Sequence, residues 1–273
     1  MVKNMVKFEI SRYKHNASGN CFLSLSDIDD ITENLLKDYK PTLLTDPQAV
    51  DFDDFIGSYL GYEIDYQHIF YNLNEPEILG CALFDKQKIK IFKTDHSGVE
   101  FLEYDENTII IDRVLVDETD PSRHIQLVST ALHEAGHLYL QQEWGRANKD
   151  QINLFSPERK ICCRKSDCEI FSITTSQQDK FREWQANKFA FAIALNKYAL
   201  KDAFIDILRR TGIKQDVLIM DHFPESFYRH EITEQLKNVF EVSKEGIFYR
   251  LKELKLYVSQ IEFDESRSQT SLF

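Results

Sequence analysis

The sequence predicts an α+β fold, in which a small, mostly antiparallel sheet packs on a helical core that is followed by a C-terminal helical subdomain. Two segments with helical periodicity come first, four short β-rich runs with alternating or continuous apolar residues follow, and the chain is again helical from residue 122 onward. The 273 residues, 42% of them hydrophobic, are enough for one large or two small domains with a core that needs no disulfides.

The elements follow in order along the chain. Residues 1–25 show little pattern, and we expect a loop or a loose tail. Ser26 can cap a first helix that ends before Pro41, and Gly61 is a typical C-terminal cap for a second helix. The predicted bounds are residues 26–40 and 47–60 for these helices, 62–66, 78–84, 88–92 and 108–111 for strands, and 122–142, 178–196, 201–211, 233–240 and 243–254 for later helices. The two middle strands, joined by a short polar turn, favour a hairpin, and we expect the polar segment from residue 263 to fray.

Charge and cysteine content narrow the function classes. The formal net charge of −12 and the pI of about 5.2 argue against non-specific adhesion to nucleic acid or to an anionic membrane. No apolar run approaches the roughly 18 residues that a membrane span requires, and the first residues lack the apolar stretch of a signal peptide. The five cysteines are an odd number in a long chain, which does not suggest a disulfide framework. We therefore expect a cytoplasmic protein without a membrane partner.

The segment HEAGH is the strongest functional signal. Residues four apart share one helix face, so His133 and His137 can bind one metal ion together, and Glu134 beside them can take a proton from water, as in zinc peptidases. Gly136 weakens a helix, which suggests that a backbone or a substrate comes close there. The alternative is a solvated helix with two histidines, against which stand the apolar neighbours Leu127, Ala131, Leu132, Leu138 and Leu140.

A catalytic zinc takes three protein ligands and keeps one position open, so a third ligand must come from another element. The helix over residues 178–196 carries Glu183 one turn before the small residue Ala186, and Ala186 and Ala190 would let it pack closely on the HEAGH helix. Glu183 could then reach the metal. The alternative is a surface glutamate that complements the dipole of a first helical turn.

The pair of segments HEAGH and EWQANKFA resembles the ImmA/IrrE family of zinc metallopeptidases, and the similarity spans about residues 26–200. The resemblance implies that the carboxylate of the second segment, Glu183, is the third ligand. It also implies a metallopeptidase domain over 26–200, between a tail at 1–25 and a C-terminal subdomain with a tail at 201–273. The resulting site assignment is one Zn²⁺ per chain, held by His133, His137 and Glu183, with Glu134 as the general base.

Two features depart from the family pattern. Family members often continue the second helix as leucine-methionine-proline, where this chain has Ala194-Leu195-Asn196. The linker with three of the cysteines is long for the family, and we expect free thiols near the rim of the active site there. A structural metal site is disfavoured because CC-x4-C lacks the usual spacing and a fourth ligand. These cysteines are Cys162, Cys163 and Cys168.

Proteins of this family are cytosolic regulatory proteases of bacteria, phages and mobile genetic elements, and they cleave a helix-turn-helix repressor to switch on stress-response or transfer genes. The resemblance therefore implies a zinc-dependent endopeptidase whose partner is a protein substrate, a helix-turn-helix repressor. The alternative is a non-proteolytic zinc-binding regulator that sequesters a transcription factor or an antitoxin. A toxin–antitoxin partner is a third hypothesis, and a DNA-binding regulator a fourth.

Two details of this hypothesis stay open. A hydrolase of this type needs a further donor to the oxyanion, for which four side chains are candidates: Tyr139, His222, Tyr228 and His230. The helices over 233–254 resemble a helix-turn-helix, but five cations, counted with Lys255 just after them, and four anions leave a net charge of only +1. Packing or substrate docking is therefore favoured, and direct binding to nucleic acid is not expected.

Overall fold

The computed structural model describes residues 7–17, 19–72, 77–94, 97–116, 120–147, 160–164 and 177–270. These residues form an α+β fold, as the sequence predicts. The chain divides into two compact units, residues 1–30 with 51–190 and residues 31–50 with 191–273. Each unit therefore consists of two segments that are separated in the sequence. The domain bounds derived from the sequence stay a prediction. Within the described residues, no helix combines the length and apolarity needed to cross a membrane.

A four-stranded mixed sheet is the centre of the first unit. Its order is β1-β5-β2-β6; β1 and β5 are parallel and the other two ladders are antiparallel. All described residues of β2 and β5 are buried, which is typical of strands covered on both faces. The strands are β1 (Glu63–Gln67), β2 (Ile78–Leu83), β5 (Thr108–Asp112) and β6 (Lys160–Arg164).

The hairpin predicted between residues 78–84 and 88–92 does not form, and this expectation was wrong. Strand β3 (Gln87–Phe92) pairs instead with β4 (Val99–Tyr104), in a separate antiparallel ribbon. The physical reason is that β2 already has a neighbour on each edge, β5 and β6. The sequence prediction missed β4 because most of its residues are exposed, and Glu100 and Glu103 interrupt its apolar pattern.

The helices of the first unit partly match the predicted bounds. The helix expected over 47–60 is confined largely to a π-helical turn, Asp54–Leu60, which ends at Gly61 with φ +80° as its left-handed cap. Asp120 caps α2, accepting from the backbone N–H of Ser122 at 2.9 Å, and α2 packs against β2. The helices that begin in this unit are α1 (Leu25–Tyr39), α2 (Pro121–Leu140), α3 (Gln142–Ala147) and α4 (Gln177–Ala194); residues 31–39 of α1 and 191–194 of α4 belong to the second unit.

The described part of residues 1–25 is largely irregular, as the loop expected there would be, but its last residues are packed and do not form a loose tail. Asn20, Cys21 and Leu23 are buried. A Cβ on Gly19, which has φ +75°, would lie 2.6–2.7 Å from the backbone of Glu143 and Trp144. The segment is therefore seated on α3 by direct backbone contact, which only glycine permits at this position.

The second unit is mainly helical, with one short parallel pair of strands. Ser243 caps α7 as predicted, accepting from the N–H of Gly246 at 3.1 Å. The frayed tail expected from residue 263 is instead part of a helix, because Ser259 and Glu262 form a capping box that the sequence prediction overlooked. The elements are α5 (Lys197–Arg210), β7 (Leu218–Ile219), α6 (Thr233–Phe240), α7 (Lys244–Glu253), β8 (Tyr257–Val258) and α8 (Gln260–Thr270).

Candidate metal centre

Helices α2 and α4 approach each other to backbone distance at Gly136. A Cβ at this glycine would lie 3.1 Å from the ring of Phe189 and 3.2 Å from both Cα and O of Ala186. A larger residue at either position would push the helices apart. The sequence analysis predicted a close approach at Gly136 and close packing of a helix at Ala186. The structure has this contact, and it brings the two helices together.

This contact places three potential metal donors around one point. The two Nε2 atoms of His133 and His137 are 2.9 Å apart. Oε2 of Glu183 lies 3.2 Å from Nε2 of His133 and 3.4 Å from Nε2 of His137. The three residues that the sequence analysis named as ligands thus form a triad that could hold a metal ion.

The triad is largely shielded from solvent. His133 is 4% exposed and His137 is fully buried, whereas the side chain of Glu183 keeps 27% of its surface accessible. Burial lowers the pKa of His137, since a buried imidazole resists protonation, and the proximity of His133 lowers it further. Burial opposes ionisation of Glu183, but the two histidines outweigh it by charge and by hydrogen bonding, and they hold the pKa of Glu183 well below its usual range. Burial therefore favours a neutral His137, and the neighbouring histidines favour an ionised Glu183.

Two amide side chains orient the histidines, and sequence reasoning assigned neither of them. Nδ1 of His133 lies 3.0 Å from Oδ1 of Asn187, and Nδ1 of His137 lies 3.1 Å from Oε1 of Gln141. Such acceptors direct the other ring nitrogen toward a metal. The available signal was spacing, because Gln141 follows His137 by four residues and Asn187 follows Glu183 by four, so each shares a helix face with a ligand.

Glu134, the expected general base, lies next to the triad but on the side of α2 that faces the sheet. It is fully buried. A Cβ at Gly80 of β2 would lie 2.8 Å from Oε1 of Glu134 and 2.6 Å from Cγ2 of Thr130, one turn earlier in α2. The missing side chain at Gly80 thus leaves the space that the Glu134 carboxylate occupies.

The four candidate oxyanion donors lie in different units of the structure. The ring of Tyr139 packs against those of Phe8 and Phe189, with centroids 5.7 Å away in both cases, and burial raises its pKa to about 12. Two residues along a helix amount to a rotation of about 200°, so Tyr139 does not share the face of His137. The others, His222, Tyr228 and His230, belong to the second unit, and their role stays a prediction.

Among the described residues, the donors of the triad are two histidines and one glutamate. Cys162 and Cys163 lie in β6, the strand beside β2, and Cys168 lies outside the described residues. Cys21 and Cys81, elsewhere in the first unit, are buried. Burial raises the pKa of the Cys21 thiol to about 11.

Comparison with known proteins adds no relative. No family model matches the chain, and no curated protein matches it. The resemblance of HEAGH and EWQANKFA to the ImmA/IrrE family therefore stays a prediction from those residues.

Proposed function

We propose that this protein is a zinc-dependent regulatory endopeptidase of the ImmA/IrrE type, which cleaves a specific protein. The observation that carries the proposal is the convergence of His133, His137 and Glu183, from two helices, on one point. Two imidazoles and one carboxylate are the ligand set of thermolysin-like catalytic zinc sites, which leave a fourth position open.

The donor set fits zinc in chemistry and in spacing. A tetrahedral zinc with bonds of about 2.0–2.1 Å separates its donor atoms by about 3.3–3.4 Å. The oxygen of Glu183 is 3.2 Å and 3.4 Å from the two imidazole nitrogens, close to this spacing, whereas the two nitrogens are 2.9 Å apart. Imidazole nitrogens together with a carboxylate are also ligands that zinc prefers, whereas calcium and magnesium prefer ligand sets made of oxygen atoms alone.

The role proposed for each side chain follows from its position. A bound zinc would supply Lewis acidity, which polarises a peptide carbonyl and makes water a stronger nucleophile at neutral pH. His133, His137 and Glu183 would hold it, with Asn187 and Gln141 keeping the two rings in place. Glu134 would accept the proton of the attacking water and deliver it to the leaving amine.

The substrate part of the proposal rests on the resemblance alone. In the ImmA/IrrE family the substrate is a helix-turn-helix repressor, and we extend this to the present chain on the strength of HEAGH and EWQANKFA. Cleavage of one regulator would place the protein in a bacterial, phage or mobile-element control circuit that acts in the cytoplasm.

Replacement of Glu134 by Gln tests the proposal, because an amide keeps the shape of the side chain but cannot take up a proton. Zinc-loaded wild type should cut a helix-turn-helix repressor encoded beside its own gene, and Glu134→Gln should be slower by about 10²–10⁴-fold while it retains zinc. Cleavage is followed by mass spectrometry of new N-termini. Glu63→Gln, at the exposed first residue of β1, is the control and should cut normally.

The full burial of Glu134 favours one competing function, a zinc-binding regulator that sequesters a transcription factor or an antitoxin without cutting it. The same experiment separates the two. If zinc-loaded wild type yields no new N-terminus, either from candidate repressors or from a lysate of the source cells, the peptidase proposal is wrong. Tight binding of a repressor by wild type and Glu134→Gln alike would then support the sequestering regulator.

A further inference from the structure

Gln141 uses both ends of its side-chain amide inside the protein. It is 3% exposed and lies just beyond the last residue of α2. Oε1 lies 3.1 Å from Nδ1 of His137, and Nε2 donates to the backbone carbonyl of Arg182 on α4, also at 3.1 Å. One side chain therefore connects a metal-ligand candidate on α2 with the peptide that immediately precedes Glu183 on α4.

The order of these hydrogen bonds decides where the proton of His137 sits. A backbone carbonyl can only accept, so the NH₂ group of Gln141 must face Arg182 and its oxygen must face His137. An amide oxygen also only accepts, so Nδ1 of His137 must carry the hydrogen. The lone pair of Nε2 then points toward His133 and Glu183, as metal binding requires.

We propose that Gln141 is a positioning residue that relays the polarity of the Arg182 carbonyl to His137 and sets its metal-binding tautomer before any ion arrives. The inference rests on the metal centre of the proposed function and not on proteolysis. It also explains why a neutral amide, with a donor and an acceptor, stands at this position. A hydrocarbon side chain could do neither task.

The carbonyl at the start of this relay belongs to a residue that is itself held firmly. The guanidinium of Arg182 hydrogen-bonds to Oδ1 of Asn20, pairs with Asp179 and stacks on Trp144, with Cζ 4.2 Å from the ring centroid. Arg182 is buried as a result. Because Glu183 is the next residue, the same link sets the position of the third ligand relative to His137.

The neighbouring glutamine offers a matched control. Gln142 is also buried, and its amide donates to the hydroxyl of Tyr62 at 3.1 Å, away from the triad. Gln141→Leu and Gln142→Leu each remove one buried amide of equal size. Any general loss of stability should be shared, whereas an effect on His137 should follow Gln141 alone.

The first measurement is the ¹⁵N NMR spectrum of the imidazole rings in the metal-free protein, at about pH 8, where unperturbed histidine is neutral. Wild type and Gln142→Leu should show the Nδ1–H tautomer at His137. Gln141→Leu should shift His137 toward the Nε2–H tautomer, which places the hydrogen inside the triad. His133, held by Asn187, is the internal reference and should not change.

The second measurement is zinc affinity by competition with a chelator. Gln141→Leu should bind zinc about 10–100-fold more weakly than Gln142→Leu, the range expected when a partner of a ligating histidine is removed. If Gln141→Leu does not fold, Gln141→Asn takes its place, since its shorter amide cannot span both partners. An unchanged His137 tautomer, or a zinc affinity within about threefold of the control, overturns the proposal. Neither result depends on finding a substrate, so failure of the peptidase proposal is seen separately.

Discussion

Two pairs of packed helices, one in each compact unit, use their polar side chains in different ways. In α2 and α4, three donors from separate turns face one another, with Glu183 3.2 Å and 3.4 Å from the two imidazole nitrogens. In α6 and α7, charged groups are matched locally: Lys237 and Lys244 lie 3.4 Å and 2.7 Å from the carboxylate of Glu234. The first arrangement leaves nitrogen lone pairs directed at a common point, and the second neutralises its own charge.

The second pair also buries Arg250, whose guanidinium would be the side chain best suited to bind phosphate. Arg250 is 1% exposed, and its Nε donates to the backbone carbonyl of Leu195 at 3.2 Å. A buried guanidinium that serves the backbone is not available to a nucleic acid. Charged side chains on a helix therefore indicate a binding function only where neighbouring side chains and backbone groups do not already pair with them. This supports packing over DNA binding for α6 and α7.

Removal of a ligand should have the largest effect. We expect about one zinc per chain in the wild type and less than a tenth of that in His137→Ala, since a three-ligand site loses a fully buried donor. Metal content is measured by elemental mass spectrometry after dialysis. His124→Ala, an exposed histidine in the first turn of α2, should retain the metal. Equal zinc in both variants would place the metal elsewhere.

Replacement of Arg250 should destabilise the fold without changing the amount of bound zinc. In Arg250→Met the carbonyl of Leu195 loses its charged donor, and Glu253, 3.5 Å from the guanidinium, loses its ion-pair partner. We expect a decrease of about 2–3 kcal/mol in the free energy of unfolding, measured in urea. Lys252→Met, on the exposed side of α7, is the control. A loss of zinc in Arg250→Met would show that the two helix pairs are not independent.

The smallest effect is expected from Lys244→Ala. Its ion pair with Glu234 is 2.7 Å long, but both side chains are about two-fifths exposed, at 40% and 42%. Exposed pairs contribute little because water and salt screen them. The urea midpoint should stay within error of the wild type, at low and at high salt. A clear salt-dependent decrease would mean that α6 and α7 depend on their charge pattern more than the comparison suggests.

The sequence alone determined the features that depend on residues close together in the chain. The spacing of His133 and His137 predicts a shared helix face, and Ser243 predicts the start of α7, because helix geometry and capping are local. Glu183 could be named in addition because Ala186 and Ala190 predicted close packing of its helix on the HEAGH helix, and because EWQANKFA resembles the segment that carries the third ligand in the ImmA/IrrE family.

Only the tertiary structure decided the remainder. The pairing of β2 with β5 and β6 depends on register across distant segments, so a nearby apolar run such as 88–92 looked like an equally good partner. The space at Gly80 for Glu134 and the carbonyl of Arg182 that receives Gln141 arise from backbone placement. Every residue carries a backbone carbonyl, so no side-chain pattern marks which one will orient a metal ligand.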